Sequence, residues 1–168
     1  MIVVSDTSPL LSLALIGQLD LLHQLYGSIV IPPAVHDEIV VGGAAYRGGE
    51  DVARQDWIHI DRPTNAIIIA LLMRELDRGE AEAIALAIES KADLLLLDEY
   101  RARRMADYLS LPHTGLIDIL GEAKRRQYLT AIKPALDDLV THAHFHLSRK
   151  LYHRTLESAG EIDHANPA

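Results

Sequence analysis

The sequence predicts an α/β sandwich built on a mostly parallel sheet. Short apolar runs of strand character alternate with helix-length patterns along the whole chain. The clearest run, Leu94 to Leu97, lacks the alternation of a half-exposed strand and reads as buried on both faces. Neither an internal repeat nor an interdomain linker interrupts the order. With 168 residues the chain is long enough for one domain, assigned to residues 1–158, followed by a flexible C-terminal tail at 159–168.

Taken in order, Ile2 to Ser5 is a β-branched strand that stops at Asp6-Thr7-Ser8-Pro9. Ser8 suits an N-cap with Pro9 at the first helical position, and that helix runs to Gly17. A short helix over Leu19 to Leu25 precedes the strand Ser28 to Ile31. Pro32-Pro33 then opens a helix from Ala34 to Val41. Paired glycines bracket a loop at 42–49, followed by a short helix at Glu50 to Gln55 and the strand Trp57 to Ile60. Asn65 to Leu76 is helix-length, although its Ile67-Ile68-Ile69 run leaves a strand open. Glu80 to Ser90, rich in alanine, leucine and glutamate, is a strong helix. After Leu94 to Leu97 come a helix from Glu99 to Leu109, a strand at Leu111 to His113 and a helix from Leu116 to Gln127. Helices at Lys133 to His142 and Leu147 to Leu156 complete the fold.

Composition narrows the function. With no cysteine, thiolate catalysis, cysteine-based zinc sites and disulfide frameworks are excluded. No apolar run is long enough to cross a bilayer, and no signal-peptide pattern opens the chain, so a cytoplasmic location without membrane attachment is expected. Sixteen basic against twenty-four acidic residues give a net charge of −8. That balance opposes a protein that grips long duplexes through counterion release. It is compatible with an enzyme that gathers carboxylates around a divalent ion.

Two acids directly follow buried strands: Asp6 after Ile2 to Ser5, and Asp98 after Leu94 to Leu97. Ligands of open parallel sheets bind outside the carboxyl ends of the strands, so neighbouring strands would bring the two together. For either acid alone a turn or cap role is an equal explanation; the pair favours a site. Glu38 shares a helical face with Ala34, Val35 and Ile39, and Glu80 shares one with Ile84, Ala87 and Ile88. A carboxylate on an inward face needs a partner. A first-turn acid favoured by the helix dipole is the alternative account of Glu80, and it suits Glu82 better than Glu80. Glu82, in line with Glu89, fits a solvated face. Four gathered carboxylates would repel one another unless protonated or bridged by a cation, for which Mg2+ or Mn2+ is the natural choice.

The segments IVVSDTSPLLSL (2–13), IVIPPAVHDEIV (29–40), LDRGEAEAIALA (76–87) and LLLLDEYRARRMA (94–106) resemble PIN-domain ribonucleases. The resemblance is to the VapC-like toxin branch of toxin–antitoxin systems. It covers most of residues 1–158 and is weakest at 42–65. It implies a three-layer α/β/α fold and metal-dependent endonucleolytic cleavage of RNA. The acidic site maps onto Asp6, Glu38, Glu80 and Asp98 as both catalytic residues and ligands of Mg2+ or Mn2+. It further implies a cognate antitoxin protein and a homodimer. Ser8 and Thr7 stand where the family often carries hydroxyls close to the metal, capping being the simpler reading of Ser8. Glu99 replaces an acid common beside Asp98. Near GLIDIL (115–120) the family usually has a threonine and a glycine where this chain has Leu116 and Asp118. Asp118 reads first as an exposed helix residue, with a supplementary acid at the metal as the alternative.

Among the remaining signals, Arg101, Arg103 and Arg104, and Lys124, Arg125 and Arg126, form two basic clusters that could hold backbone phosphates; singly, each reads as part of a solvated face. Arg103 lies within the stretch that resembles the family. His142, His144 and His146 lack the HExxH arrangement and read as a surface cluster. No GxxxxGK[ST] loop or GxGxxG fingerprint is present. The competing functions are a non-catalytic protein that binds RNA or a partner, and a metal-dependent phosphatase.

Overall fold

The computed structural model describes residues 1–41 and 48–162. In chain order the elements are β1 (Val3–Ser5), α1 (Thr7–Leu15), α2 (Asp20–Tyr26), β2 (Ile29–Ile31), α3 (Pro33–Val40), α4 (Gly49–Ala53), β3 (Ile58–Ile60), α5 (Ala66–Leu72), α6 (Arg78–Ser90), β4 (Leu94–Leu96), α7 (Tyr100–Tyr108), β5 (His113–Thr114), α8 (Leu116–Arg125), α9 (Lys133–His142) and α10 (Arg149–Ser158). The five strands form one all-parallel sheet in the order β3-β2-β1-β4-β5. No helix among the described residues is long and apolar enough to cross a membrane.

Strand periodicity divides the core into two layers. Val3, Ile29, Ile31 and Leu96 point to one face, where α1, α2, α3, α8, α9 and Leu156 of α10 cover them. Val4, Leu95 and Leu97 point to the other, under α5, α6 and α7. The α/β/α sandwich expected from the sequence is the fold observed. Each fully buried leucine-sized side chain on these strands contributes roughly 1.5–3 kcal/mol.

The sheet order reverses at β1, which pairs with β2 on one side and β4 on the other. Crossovers leave in opposite directions from such a point and open a crevice at the carboxyl ends. The Asp6 N–H donates to the Leu96 carbonyl at 3.1 Å, carrying the β1–β4 pairing to the rim of this crevice.

Several expected boundaries shift for identifiable reasons. Asp6 rather than Ser8 is the N-cap residue of α1, because the extended backbone of β1 ends there and helical geometry begins at Thr7. The Ile67-Ile68-Ile69 run is helical, with the Asn65 side chain accepting from the Ile68 N–H. Helix α6 starts two residues early because Asp77 and Glu80 form a capping box. The last strand forms at His113–Thr114, starting two residues and ending one residue later than expected. Of the loop at 42–49, residues 42–47 lie outside the described residues. The expected flexible tail is fastened at its start: Glu161 accepts from Lys124 Nζ and from the Ile132 and Lys133 N–H groups. Residues 163–168 lie outside the described residues.

Candidate active site

Asp6, Glu38 and Glu80 line one cavity of about 540 Å3 at the carboxyl edge of the sheet, together with Thr7, Ser8 and Glu99. Each reaches it from a different element. Asp6 ends β1, Glu38 projects from α3, and Glu80 from the first turn of α6, which packs against α3.

The carboxylates are held by short-range contacts dictated by local sequence. The Glu38 carboxylate accepts from the Thr7 hydroxyl and from the Gly79 N–H. Gly79 makes this possible, since a Cβ there would stand 2.6 Å from Glu38 Oε1. Glu80 Oε2 accepts from the Asp77 N–H at 3.1 Å, while Asp77 Oδ1 accepts from the Glu80 N–H at 2.8 Å. The first-turn reading of Glu80 and its place in the cavity therefore both hold.

Burial pushes Asp6 well above the usual carboxylate range, and the charges of Glu80, Asp77 and Glu38 push it further. Glu38 and Glu80 are also raised, in each case first by burial. The three acids thus repel one another across a partly desolvated space, with no cation among their principal influences.

Asp98 lies just beyond β4 but faces the junction of β5 and α8 rather than lining that cavity. Its Oδ1 accepts from the Leu116 N–H at 2.9 Å, in the first turn of α8. Its Oδ2 is buried without a hydrogen-bond partner. Burial lifts this carboxyl to about 6, with Leu116 and Arg103 opposing the rise and Glu99 and Asp118 adding to it. Glu99 also raises Glu80, so its charge is felt on both sides of the crevice.

Gly115 allows the close approach around Asp98. A Cβ there would lie 2.5 Å from Arg103 Nη1 and 3.0 Å from Asp98 Oδ1. Arg103 Nη2 stands 4.0 Å from Asp118 Oδ2, and Asp118 is exposed, as its helical pattern suggested. A larger cavity of about 620 Å3, between α8 and α10, is lined by Asp118 and by Lys124 and Arg125 of the second basic cluster.

The chemistry of this donor set suits a hard divalent ion: clustered carboxylate oxygens, mutual repulsion and one orphaned buried acceptor. Among the described residues no three histidine or acidic groups converge as a preformed metal cage, and Glu38, Glu80 and Asp98 each accept a hydrogen bond from a protein N–H or hydroxyl donor. His142, His144 and His146 are exposed, and His142 Nδ1 stands 3.5 Å from Asp138. The second basic cluster is consumed locally: Lys124 pairs with Glu161, and Arg125 and Arg126 with Glu122.

Sequence reasoning missed three cavity-lining residues, Glu75, Asp77 and Tyr100, whereas Arg101 of the first basic cluster does line the cavity. The Asp77-x-x-Glu80 spacing was the available signal for Asp77. Glu82 is a correction. It is buried, not solvated: its Oε2 accepts from the Ala34 N–H at 3.0 Å and its Oε1 from Arg78 Nε at 2.9 Å. Pro33 has no N–H to offer, so Ala34 carries the first free donor of α3 and draws a buried acceptor to it.

Comparison with curated proteins finds no match to this chain. The profile of DUF3368, described as a PIN domain, matches residues 2–161, nearly the whole of the chain. Its all-parallel five-stranded sheet between two helical layers agrees with that assignment, and the chain belongs to the PIN-domain family, whose members are generally nucleases.

Proposed function

We propose that this protein is a metal-dependent endoribonuclease of the VapC-like type, acting as the toxin of a toxin–antitoxin pair. The observation that carries the reading is the set of raised, desolvated acids at the sheet's switch point, with Asp98 Oδ2 left unpartnered at the end of the neighbouring strand β4. Asp6, Glu38, Glu80 and Asp98 would hold Mg2+ or Mn2+, which supplies activation of water and stabilisation of phosphoryl charge when bound.

The chain's own residues supply position. Thr7 and Gly79 fix the Glu38 carboxylate, Asp77 fixes Glu80, and the α8 N-terminus fixes Asp98. Pre-set carboxylates orient the attacking water without reorganising during the reaction. Arg103 stands next to Asp98 and Gly115, where a guanidinium can neutralise an incoming phosphate. A cognate antitoxin and a homodimeric state belong to the same proposal.

The test is purified protein presented with RNA and with a chromogenic phosphate ester, each with and without Mn2+. RNA cleavage alone, lost in EDTA, is expected; ester hydrolysis alone points to a phosphatase, and RNA binding without turnover to a non-catalytic protein. Asp6→Asn and Asp98→Asn should each lower cleavage by at least about 100-fold while the fold persists. Cleavage should also decline as pH falls, because the proton that Asp98 takes up at about 6 without metal competes with the ion, and raising Mn2+ should move the decline to lower pH. Activity that survives both substitutions or EDTA refutes the assignment.

A further inference from the structure

Helix α7 leaves the acidic crevice immediately after Glu99 and carries an unusual outer face. Tyr100, Arg104 and Tyr108 follow one another at four-residue spacing and share one stripe. The opposite side of the helix buries Ala102 and Ala106 in the core. Tyr100 is 71% exposed and Tyr108 is 84% exposed, fractions that leave most of each ring available to a ligand. The Arg104 guanidinium sits 5.8 Å from the Tyr100 ring centroid, a cation–π arrangement. Tyr100 and Arg101 also line the cavity that contains Asp6, Glu38 and Glu80. The stripe therefore begins in the candidate active site and continues outward from it.

Neither tyrosine is buried in the core, so most of each ring is open to a ligand. Rings interleaved with arginines match a single nucleic-acid strand, in which unpaired bases offer π-faces and phosphates offer charge. A duplex keeps its bases stacked internally and presents no such face. The net charge of −8 independently disfavours electrostatic capture of a duplex. Eight residues of helix place Tyr108 about 12 Å beyond Tyr100, room for two successive bases. Arg103 points away from the stripe, toward Gly115 and Asp118, and is not part of it.

We infer that the Tyr100–Arg104–Tyr108 face of α7 is a subsite for unpaired nucleobases, which guides single-stranded RNA out of the crevice. The inference rests on the nuclease reading for its substrate but is measured separately from cleavage. The full-length protein is titrated in EDTA at low salt into a fluorescein-labelled oligouridylate of about eight nucleotides, followed by anisotropy. Tyr100→Ala should weaken binding about 5–150-fold, and Tyr100→Phe should restore it because the ring is retained. Arg104→Ala should weaken binding and reduce the salt dependence by about one charge. An abasic oligomer with the same phosphates loses the stack on Tyr108 as well, so it should bind the wild-type protein no more tightly than oligouridylate binds Tyr100→Ala.

Failure of the wild-type protein to bind, or equal binding by the wild-type protein and Tyr100→Ala, overturns the subsite. In the second case the stripe is left as a face for a protein partner. Tyr100-dependent binding without metal-dependent cleavage keeps the subsite and removes the nuclease reading. Cleavage whose KM is indifferent to Tyr100→Ala does the reverse.

Discussion

The carboxylates at the carboxyl edge of the sheet and those around the C-terminal helices are the same chemical groups in opposite electrostatic settings. Asp6, Glu38, Glu80 and Asp98 are all raised, and burial is the first cause in each case. Glu122 is lowered to about 2 by hydrogen bonds from Arg125 and Arg126, and Asp137 is lowered by Lys133 and Tyr152. Glu161, which accepts from Lys124 and two backbone N–H groups, is lowered as well. The C-terminal acids have their partners within the chain. Asp6, Glu38 and Glu80 have no cation among their principal influences and remain mutually repulsive, and Arg103 does not offset the burial of Asp98. This is the condition in which an external ligand gains most from binding.

The contrast predicts that function and stability separate in the crevice. Asp98 rises from 3.8 to about 6, which corresponds to about 3 kcal/mol of native-state penalty once it is ionised. A raised folded-state value contributes stability below the unfolded-state value, and that stability is lost as pH rises through about 6. Asp98→Asn removes this loss. In EDTA at pH 8 the variant should be more stable than the wild-type protein by up to about 3 kcal/mol, and at pH 3 the two should coincide. Urea denaturation at both pH values measures this. A variant that is less stable at pH 8 would show that Asp98 is a structural acid like those of the C-terminal region.

Glu82 sharpens the comparison, because it lies one turn from the crevice yet behaves as a structural group. Its carboxylate gives α3 its first hydrogen bond and receives Arg78 on the other oxygen. Glu82→Ala leaves the Ala34 N–H buried without an acceptor and should cost about 1–3 kcal/mol at pH 7. Glu82→Gln keeps an acceptor and should recover most of this. The sign is opposite to that of Asp98→Asn. Thermal melts of the three variants in EDTA separate an acid kept for the fold from one kept for a ligand.

The difference between Glu82 and Asp98 also shows what the sequence discloses. The layered α/β class follows from short apolar runs between helices, and each of the five expected strands forms, while their order is disclosed only by the fold. Asp6 and Asp98 are legible because each interrupts an apolar strand at its carboxyl end. Glu38 is legible through its inward helical face. Glu82 is not, because its partner Ala34 is forty-eight residues away and acts through a backbone N–H, a group with no sequence identity. Tyr100 escapes for another reason: an exposed aromatic after an acidic pair carries no periodic signal until α7 is placed at the crevice. The offset between Asp98 and the cavity of the other three acids depends on where α8 begins, and Leu116 gives no mark of it.

Glu122 provides the smallest expected effect and the limit of the comparison. Its displacement from the usual glutamate value is about as large as that of Asp98, and opposite in direction. A lowered value contributes stability above the unfolded-state value and loses it as pH falls through about 2. Glu122 is nevertheless only half-buried and its two arginines are exposed, so screening and side-chain entropy offset the attraction. Glu122→Gln should leave the denaturation midpoint at pH 7 almost unchanged, with any loss disappearing as salt is raised. A clear, salt-independent loss would mean that the α8 ion pairs are desolvated, and the division between the two regions would then rest on partner availability alone. An unchanged midpoint makes depth the deciding variable: a displaced acid matters to this fold only where water cannot reach it.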